Sequence, residues 1–214
     1  MKWFLGHLDE VGQLMLSHAV LALIPLVVGL LLAIPLGWLA KRYRGLYTPL
    51  IAGTGLLYTI PSLALFILLP GILGTQILDP VNVLVAMTLY TVALLTRTVA
   101  DGLSSVPDHV RQAATAMGYS PVRRLFSVEL PLAVPVISAG LRVAAVSNVS
   151  IVSVAALVGV SQLGTLFTDG FNRNAMGPIV LGVIACVLLA IVFDLVILLV
   201  TKALTPWQTA GRNA

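Results

Sequence analysis

Five long apolar segments determine what this chain can fold into. Each is longer than the roughly 20 residues that a helix needs to cross the hydrocarbon core of a bilayer. Backbone polar groups in lipid must be paired within a helix or a closed barrel. We therefore predict an all-α membrane protein with five transmembrane helices, in a single domain covering residues 1–214. The segments are, in order, residues 18–40, 49–70, 81–101, 132–160 and 178–202.

The composition excludes several other classes of protein. Hydrophobic residues make up 59% of the chain and charged residues only 9%, whereas a soluble domain has about 25% charged residues. The net charge of +4 does not indicate nucleic acid binding, because the basic residues flank the apolar segments. Cys186 is alone, so there is no disulfide framework. His7, His18 and His109 are scattered, and we expect them at helix ends or the membrane interface.

The distribution of Lys and Arg predicts the orientation. The positive-inside rule places the side with more of them in the cytoplasm, so we predict the N-terminus outside and the C-terminus in the cytoplasm. Residues 1–15 do not resemble a signal peptide, and we expect a short helix on the membrane surface there. The basic residues outside the predicted spans or at the end of one are, on the predicted cytoplasmic side, Lys41, Arg42, Arg44, Arg111, Arg123, Arg124, Lys202 and Arg212, and on the other side Lys2 and Arg173.

Residues 107–130, which we call the elbow, form the most specific stretch of the chain. Pro107 and Asp108 suit the first turn of a helix, and Gly118 suits its end. Ser120-Pro121 predicts the cap and first position of a second short helix, which Leu130-Pro131 should end. The two helices would meet at Gly118-Tyr119 and form a bend that a partner protein could bind. Helical spacing predicts one apolar stripe on the first helix, formed by Val110, Ala113, Ala114 and Met117.

Charged residues inside the predicted spans need partners. Arg142 and Asp194 lie at similar depths, about 15 and 12 Å from the same side of the membrane at helical rise. A charge in hydrocarbon normally faces the protein interior and finds a partner, so we predict a link between them, directly or through one water. The alternative is that each is satisfied separately. Arg97 and Asp101 are four residues apart, which predicts a local ion pair.

Other polar residues in the spans allow two interpretations. Pro61 should kink the second span, either for packing or to open a cavity, with Ser62 beside it. Small polar residues on the fourth span have two possible roles, helix packing or the lining of a transport pathway, and both roles can coexist. They are Ser147, Asn148, Ser150 and Ser153.

The sequence carries no catalytic or metal-binding pattern. It has only three Lys and no G-x-x-x-x-G-K-[ST] motif, so it has no loop that cradles the phosphates of ATP. It has no paired carboxylates, no histidine cluster and no nucleophile beside a base. We predict no catalytic residue, no metal site and no enzyme activity.

Three stretches resemble a known family. The elbow matches the cytoplasmic loop of ABC-importer permeases. The pattern of that loop is E-A-A, then three residues, G, nine residues, I, one residue and L-P. Gln and Val replace the Glu and the Ile. T-I-P-S-L-A-L at 59–65 and V-E-L-P-L-A-V-P-V-I-S-A-G-L-R at 128–142 are similar to permeases of the osmoprotectant branch, which serve glycine betaine, choline and carnitine. The elbow positions that match are Gln112, Ala113, Ala114, Gly118, Val128, Leu130 and Pro131.

The resemblance implies an assembly and a set of roles. It implies cytoplasmic ATPase subunits that hold ATP and Mg²⁺, a second permease chain, and an extracytoplasmic solute-binding protein. Contact with the ATPase would come from the elbow, and the kinked second span and the polar residues of the fourth would form the gate and pathway. The residues implied in coupling are Val110, Gln112, Ala113, Ala114, Met117, Gly118 and Tyr119, and those in the pathway are Pro61, Ser62, Ser147, Asn148 and Ser150.

Other functions remain open at this point. An odd number of spans cannot form two equal inverted halves, which weakens a secondary carrier built on such repeats. A stand-alone channel or carrier would show flux without nucleotide, and a non-transporting assembly subunit would tolerate changes in the elbow. Within the resemblance, a permease for an amino acid such as methionine is the alternative to an osmoprotectant permease.

Overall fold

The computed structural model describes residues 8–207, and every regular element in that range is helical. The predicted all-α class is therefore confirmed for this part of the chain. Lys2, His7 and Arg212 lie outside the described residues. The elements are α1 (Leu8–Arg42), α2 (Arg44–Thr59), α3 (Ser62–Leu73), α4 (Pro80–Ser104), α5 (Asp108–Ala116), α6 (Pro121–Arg124), a π-helix (Leu125–Glu129), α7 (Leu130–Val152), a 3₁₀ helix (Ser153–Val158), α8 (Thr165–Asn172) and α9 (Met176–Leu204).

The predicted second span is broken rather than kinked. Helices α2 and α3 meet at an angle of 100°, because Ile60, which precedes Pro61, has an extended backbone with ψ 129°. A residue before proline is disfavoured in the helical region. The hydroxyl of Tyr90 on α4 donates a hydrogen bond to the Ile60 carbonyl. Four helical segments of the described chain could each cross a membrane, and the bent pair would make a fifth.

The expectation of a separate surface helix at the N-terminus is wrong for the residues that the structure describes, because they belong to α1. Within the described residues it runs without interruption from Leu8 to Arg42 and contains both Pro25 and Pro35. The part of the predicted surface helix that the structure describes is thus the first turns of the first span. As a consequence, His18 lies ten residues inside α1 and not at its end.

The junction between the elbow and the fourth span is also different from the prediction. Leu130-Pro131 does not end a helix, because Leu130 is helical (φ −65°, ψ −47°) and α7 begins there. A proline ring in an α-helix clashes with the carbonyl four residues earlier. Here the preceding turn is a π-helix, in which the Leu130 amide donates to the Leu125 carbonyl. This wider turn relieves the clash, so that α6, the π-helix and α7 form one helical path.

Helix α4 lies between α1 and α7, and glycines bring the three close together. A Cβ atom on Gly29 or Gly37 of α1 would lie 2.5 Å from Thr91 or 2.7 Å from Val99 of α4. On α7, a Cβ on Gly140 would lie 2.3 Å from Thr98. Small residues at helix interfaces allow this close backbone approach in membranes. The packing fixes the ends of α1, α4 and α7 beside the elbow.

Candidate functional site

The bend of the elbow depends on the backbone of Gly118. Helix α5 ends at Ala116, and Gly118 follows with φ 82°, a left-handed conformation that disfavours residues with a Cβ. The Tyr119 amide then donates to the Ala114 carbonyl, at 3.1 Å. A Cβ atom added at Gly118 would meet nothing within 4 Å. Glycine is thus favoured here by the backbone conformation and not by lack of space.

The predicted apolar stripe of the elbow is divided between the chain's own interior and its surface. Ala114 is only 1% exposed, whereas Met117 is 68% exposed. Gln112 and Ala113 are also exposed, and Val110 is half-buried. A partner could therefore reach Gln112, Ala113 and Met117, while Ala114 packs against this chain. Next to them, α5 and Arg124 line an open cavity of about 550 Å³.

A buried carboxylate, which sequence analysis did not single out, connects the elbow to the rest of the bundle. Glu129 is 2% exposed and accepts hydrogen bonds from Lys41 Nζ at 2.6 Å and from Arg124 Nε at 2.7 Å. Lys41 also donates to the Leu103 carbonyl at 2.6 Å, and Arg124 Nη1 donates to Thr115 Oγ1 at 2.6 Å. We call these five residues the Glu129 clamp. It joins the last turns of α1 and α4 to both helices of the elbow.

The predicted intramembrane residues Arg142 and Asp194 lie in direct contact. Arg142 donates through Nε and Nη2 to the two carboxylate oxygens of Asp194, at 2.6 and 2.8 Å. The side chains are 40% and 28% exposed, so the pair, which bridges α7 and α9, is not sealed within this chain. Arg97 and Asp101 form a looser, exposed pair at 3.6 Å.

The polar residues of the fourth span separate into two groups. Asn148 is buried and donates to Thr91 Oγ1 at 3.0 Å and to the Ala22 carbonyl at 3.3 Å, so it serves packing between α7, α4 and α1. Ser150 and Ser153 instead line an open cavity of about 250 Å³ that α9 also borders. Ser147 is half-buried.

At the break of the second span, Pro61 is exposed and Ser62 half-buried. The structure places both at the junction of α2 and α3, where Tyr90 holds the preceding carbonyl.

A second buried polar group was misjudged from the sequence. His18 is fully buried, with its ring nitrogens 2.9 Å from Gln162 Oε1 and from the Val149 carbonyl. Gln162 in turn donates to the Ser153 carbonyl at 3.2 Å. The expectation that His18 lies at a helix end is wrong, because α1 begins ten residues before it. These contacts fasten the turn after the 3₁₀ helix to α1 and α7.

Between residues 8 and 207 the structure contains no group of three or more His, Cys, Asp or Glu side chains that could hold a metal ion. Cys186 is half-buried and is not in a disulfide.

Comparisons with known proteins give the family. Residues 26–209 match the model of the binding-protein-dependent transport system inner membrane component. The osmoprotectant import permease protein OsmW of Salmonella typhimurium is 36% identical over 206 residues, which are 93% of this chain and 95% of that protein. The glycine betaine/carnitine/choline transport system permease protein OpuCD of Bacillus subtilis is 33% identical, over 92% of this chain and 85% of that one.

A solved structure agrees in fold. A chain of the MetNI methionine ABC transporter in an inward-facing conformation superposes with a TM-score of 0.84 at 18% identity, covering 94% of this chain and 98% of that chain. At this identity the likeness establishes the fold alone. The family match covers most of the sequence, and the apolar helices agree with a multi-pass protein of the inner membrane. This chain therefore belongs to the binding-protein-dependent ABC-importer permeases, the inner membrane components of these transport systems.

Proposed function

We propose that this permease moves a small quaternary ammonium solute, such as glycine betaine, choline or carnitine, into the cytoplasm in an ATP-driven importer. The observation that carries the choice of solute is the similarity, over more than nine tenths of the chain, to permeases of osmoprotectants and of glycine betaine, carnitine and choline. Two permease chains, identical or related, would form the pathway between them, because five spans do not make two equal halves.

The elbow is proposed as the surface that a cytoplasmic ATPase binds. Its exposed Gln112, Ala113 and Met117 could enter a groove on the ATPase, as amphipathic helices do in helix-in-groove recognition. This role requires the N-terminus outside and the elbow in the cytoplasm, as the distribution of Lys and Arg predicts. The ATPase, and not this chain, would then bind ATP and Mg²⁺ and hydrolyse the ATP.

The Glu129 clamp would transmit movement of the elbow to the membrane-spanning helices. Thr115 on α5 contacts Arg124, Arg124 contacts Glu129, and Glu129 contacts Lys41 at the end of α1. Because Lys41 also binds the Leu103 carbonyl, a displacement of α5 would shift the ends of α1 and α4 with it. The elbow and the bundle would thus move together during alternating access.

The pathway is proposed to include the broken second span, the polar end of α7 and the start of the 3₁₀ helix. Ser150 and Ser153 line a cavity beside α9, where hydroxyl groups would give a zwitterion or a cation a neutral, wettable surface. Recognition of the quaternary ammonium group would come mainly from an extracytoplasmic binding protein, since cation–π recognition needs clustered aromatic rings. Aromatic residues make up only 7% of this chain.

Reconstituted uptake tests this function. We expect vesicles that contain the permease, its ATPase and its binding protein to take up labelled glycine betaine only with ATP, and excess choline, but not methionine, to compete. Competition by methionine alone would indicate an amino acid permease. Nucleotide-independent flux through the permease alone would indicate a channel or carrier.

A further inference from the structure

We propose that a groove between α1 and α7, beside the elbow, binds an anionic phospholipid. The phosphate would lie in a basic cavity, which we call the mouth, and an acyl chain in an adjoining apolar cavity, which we call the trough. The inference goes beyond the proposed transport function and depends only on the location of the protein in a membrane.

The mouth carries more positive than negative charge. It has a volume of about 210 Å³ and is lined by four cationic side chains and one carboxylate, that of Glu129. Lys41 and Arg124 are already bound to this carboxylate. Arg42 lies over the ring of Trp38 at 5.1 Å, and no carboxylate of the described residues forms an ion pair with it.

Arg111 offers a second free donor. Its Nη2 pairs with Asp108 on the same helix, but its Nε is buried and has no hydrogen-bond partner among the described residues. Guanidinium groups bind phosphate oxygens through several N–H donors in a fixed geometry. Arg42 and Arg111 thus have donors available for one phosphate. Its negative charge would also shield the cations of the mouth from each other.

The trough is almost entirely apolar. It has a volume of about 260 Å³ and lies between α1, α7 and α9, with walls that include Ile34, Val134 and Val200. Two hydroxyl groups border it, but Ser138 donates to the Pro135 carbonyl and Thr201 to the Ile197 carbonyl. The trough therefore presents no free donor, which suits a hydrocarbon chain.

The mouth and the trough follow each other along the same groove. Ile34 of the trough and Trp38 of the mouth are four residues apart on α1, and Leu130 of the trough directly follows Glu129 of the mouth. Tryptophan is enriched at the level of lipid headgroups, and basic pockets between membrane helices bind anionic headgroups. A soluble anion would use the mouth alone, whereas a phospholipid matches both parts.

The amount of lipid that the purified transporter retains tests this proposal. The assembled transporter is taken from bilayers of phosphatidylglycerol and phosphatidylcholine with identical acyl chains, and bound lipid is counted by native mass spectrometry. We expect phosphatidylglycerol to be retained preferentially. Arg42→Gln removes a cation of the mouth and should reduce retention about fivefold or more, the effect of roughly one basic residue near a membrane surface. Val200→Trp fills the trough with an indole ring and should reduce retention by excluding the acyl chain.

Matched controls make the result specific. Arg44→Gln removes an exposed cation two residues from Arg42 that does not line the mouth. Leu199→Trp adds the same ring to an exposed position of α9 that does not line the trough. Both should retain lipid as the wild type does. Equal losses in Arg42→Gln and Arg44→Gln, equal retention of phosphatidylcholine, or displacement of the lipid by inorganic phosphate would each overturn the proposal.

Discussion

Replacing Glu129 with glutamine is expected to reduce ATP-driven uptake about tenfold or more and to lower the stability of the permease by about 3 to 5 kcal/mol, the cost of breaking a buried ion pair on one side. The side chain of Glu129 is 3% exposed and that of Lys41 is 11% exposed. The amide has nearly the same shape but no charge, so the Lys41 ammonium would lose its only anionic partner among the described residues. Thermal unfolding in detergent and uptake in vesicles measure the two effects.

Two further variants separate the role of Glu129 in coupling from its role in stability. Asp101→Asn breaks an exposed pair, and we expect little change, because surface ion pairs contribute about 0 to 1 kcal/mol. The triple change Lys41→Met, Arg124→Met and Glu129→Met replaces all three charges of the clamp by apolar side chains, which is often neutral for stability. It should restore the melting temperature but not the amount of solute moved per ATP. Wild-type stability and coupling in Glu129→Gln would refute the clamp.

Breaking the pair in the membrane is expected to have the second large effect. Asp194→Asn and Arg142→Gln should each reduce uptake about tenfold or more, because each leaves an unpaired charge on an apolar membrane-spanning helix, where a charge normally needs a partner. The double variant removes both charges and should do no worse than the more impaired single variant. The two side chains touch through two hydrogen bonds, and contacting residues are expected to show non-additive effects.

Uptake in these variants must be compared at equal amounts of protein. Quantitative immunoblots of the membrane fraction give that correction, and the exposed pair of Arg173 and Asp169, at 3.8 Å, provides a control through Asp169→Asn. If the losses of Arg142→Gln and Asp194→Asn simply add in the double variant, the two residues do not act as a pair.

The sequence contains most of the information on which segments are helical and little on how they end. Apolar length alone indicates the spans, since lipid leaves the backbone few alternatives. The ends depend on tertiary contacts and local geometry. Examples are the first turns of α1 before residue 18, the full break at Pro61 and the π-helix that allows Pro131 to continue a helix.

For the candidate functional site, too, the sequence indicated some contacts and not others. Similar depths in the membrane were enough to suggest a link between Arg142 and Asp194, which the structure places in contact. The Glu129 clamp could not be derived, because Lys41 and Glu129 are 88 residues apart and meet only when the ends of three helices come together. One signal was present. Glu129 is the only carboxylate between Asp108 and Asp169 and stands beside an apolar segment, where a charge needs a partner.

Cross-linking from Met117 to the ATPase tests the central claim, that the elbow is the cytoplasmic surface on which the ATPase acts. With Cys186→Ser as background, Met117→Cys should form a cross-link to the ATPase in the assembled transporter and block uptake. Leu157→Cys, at a position that is also exposed but follows the other end of α7, should form none. A cross-link from position 157 instead, or labelling of position 117 by an impermeant reagent from outside the cell, would contradict the account.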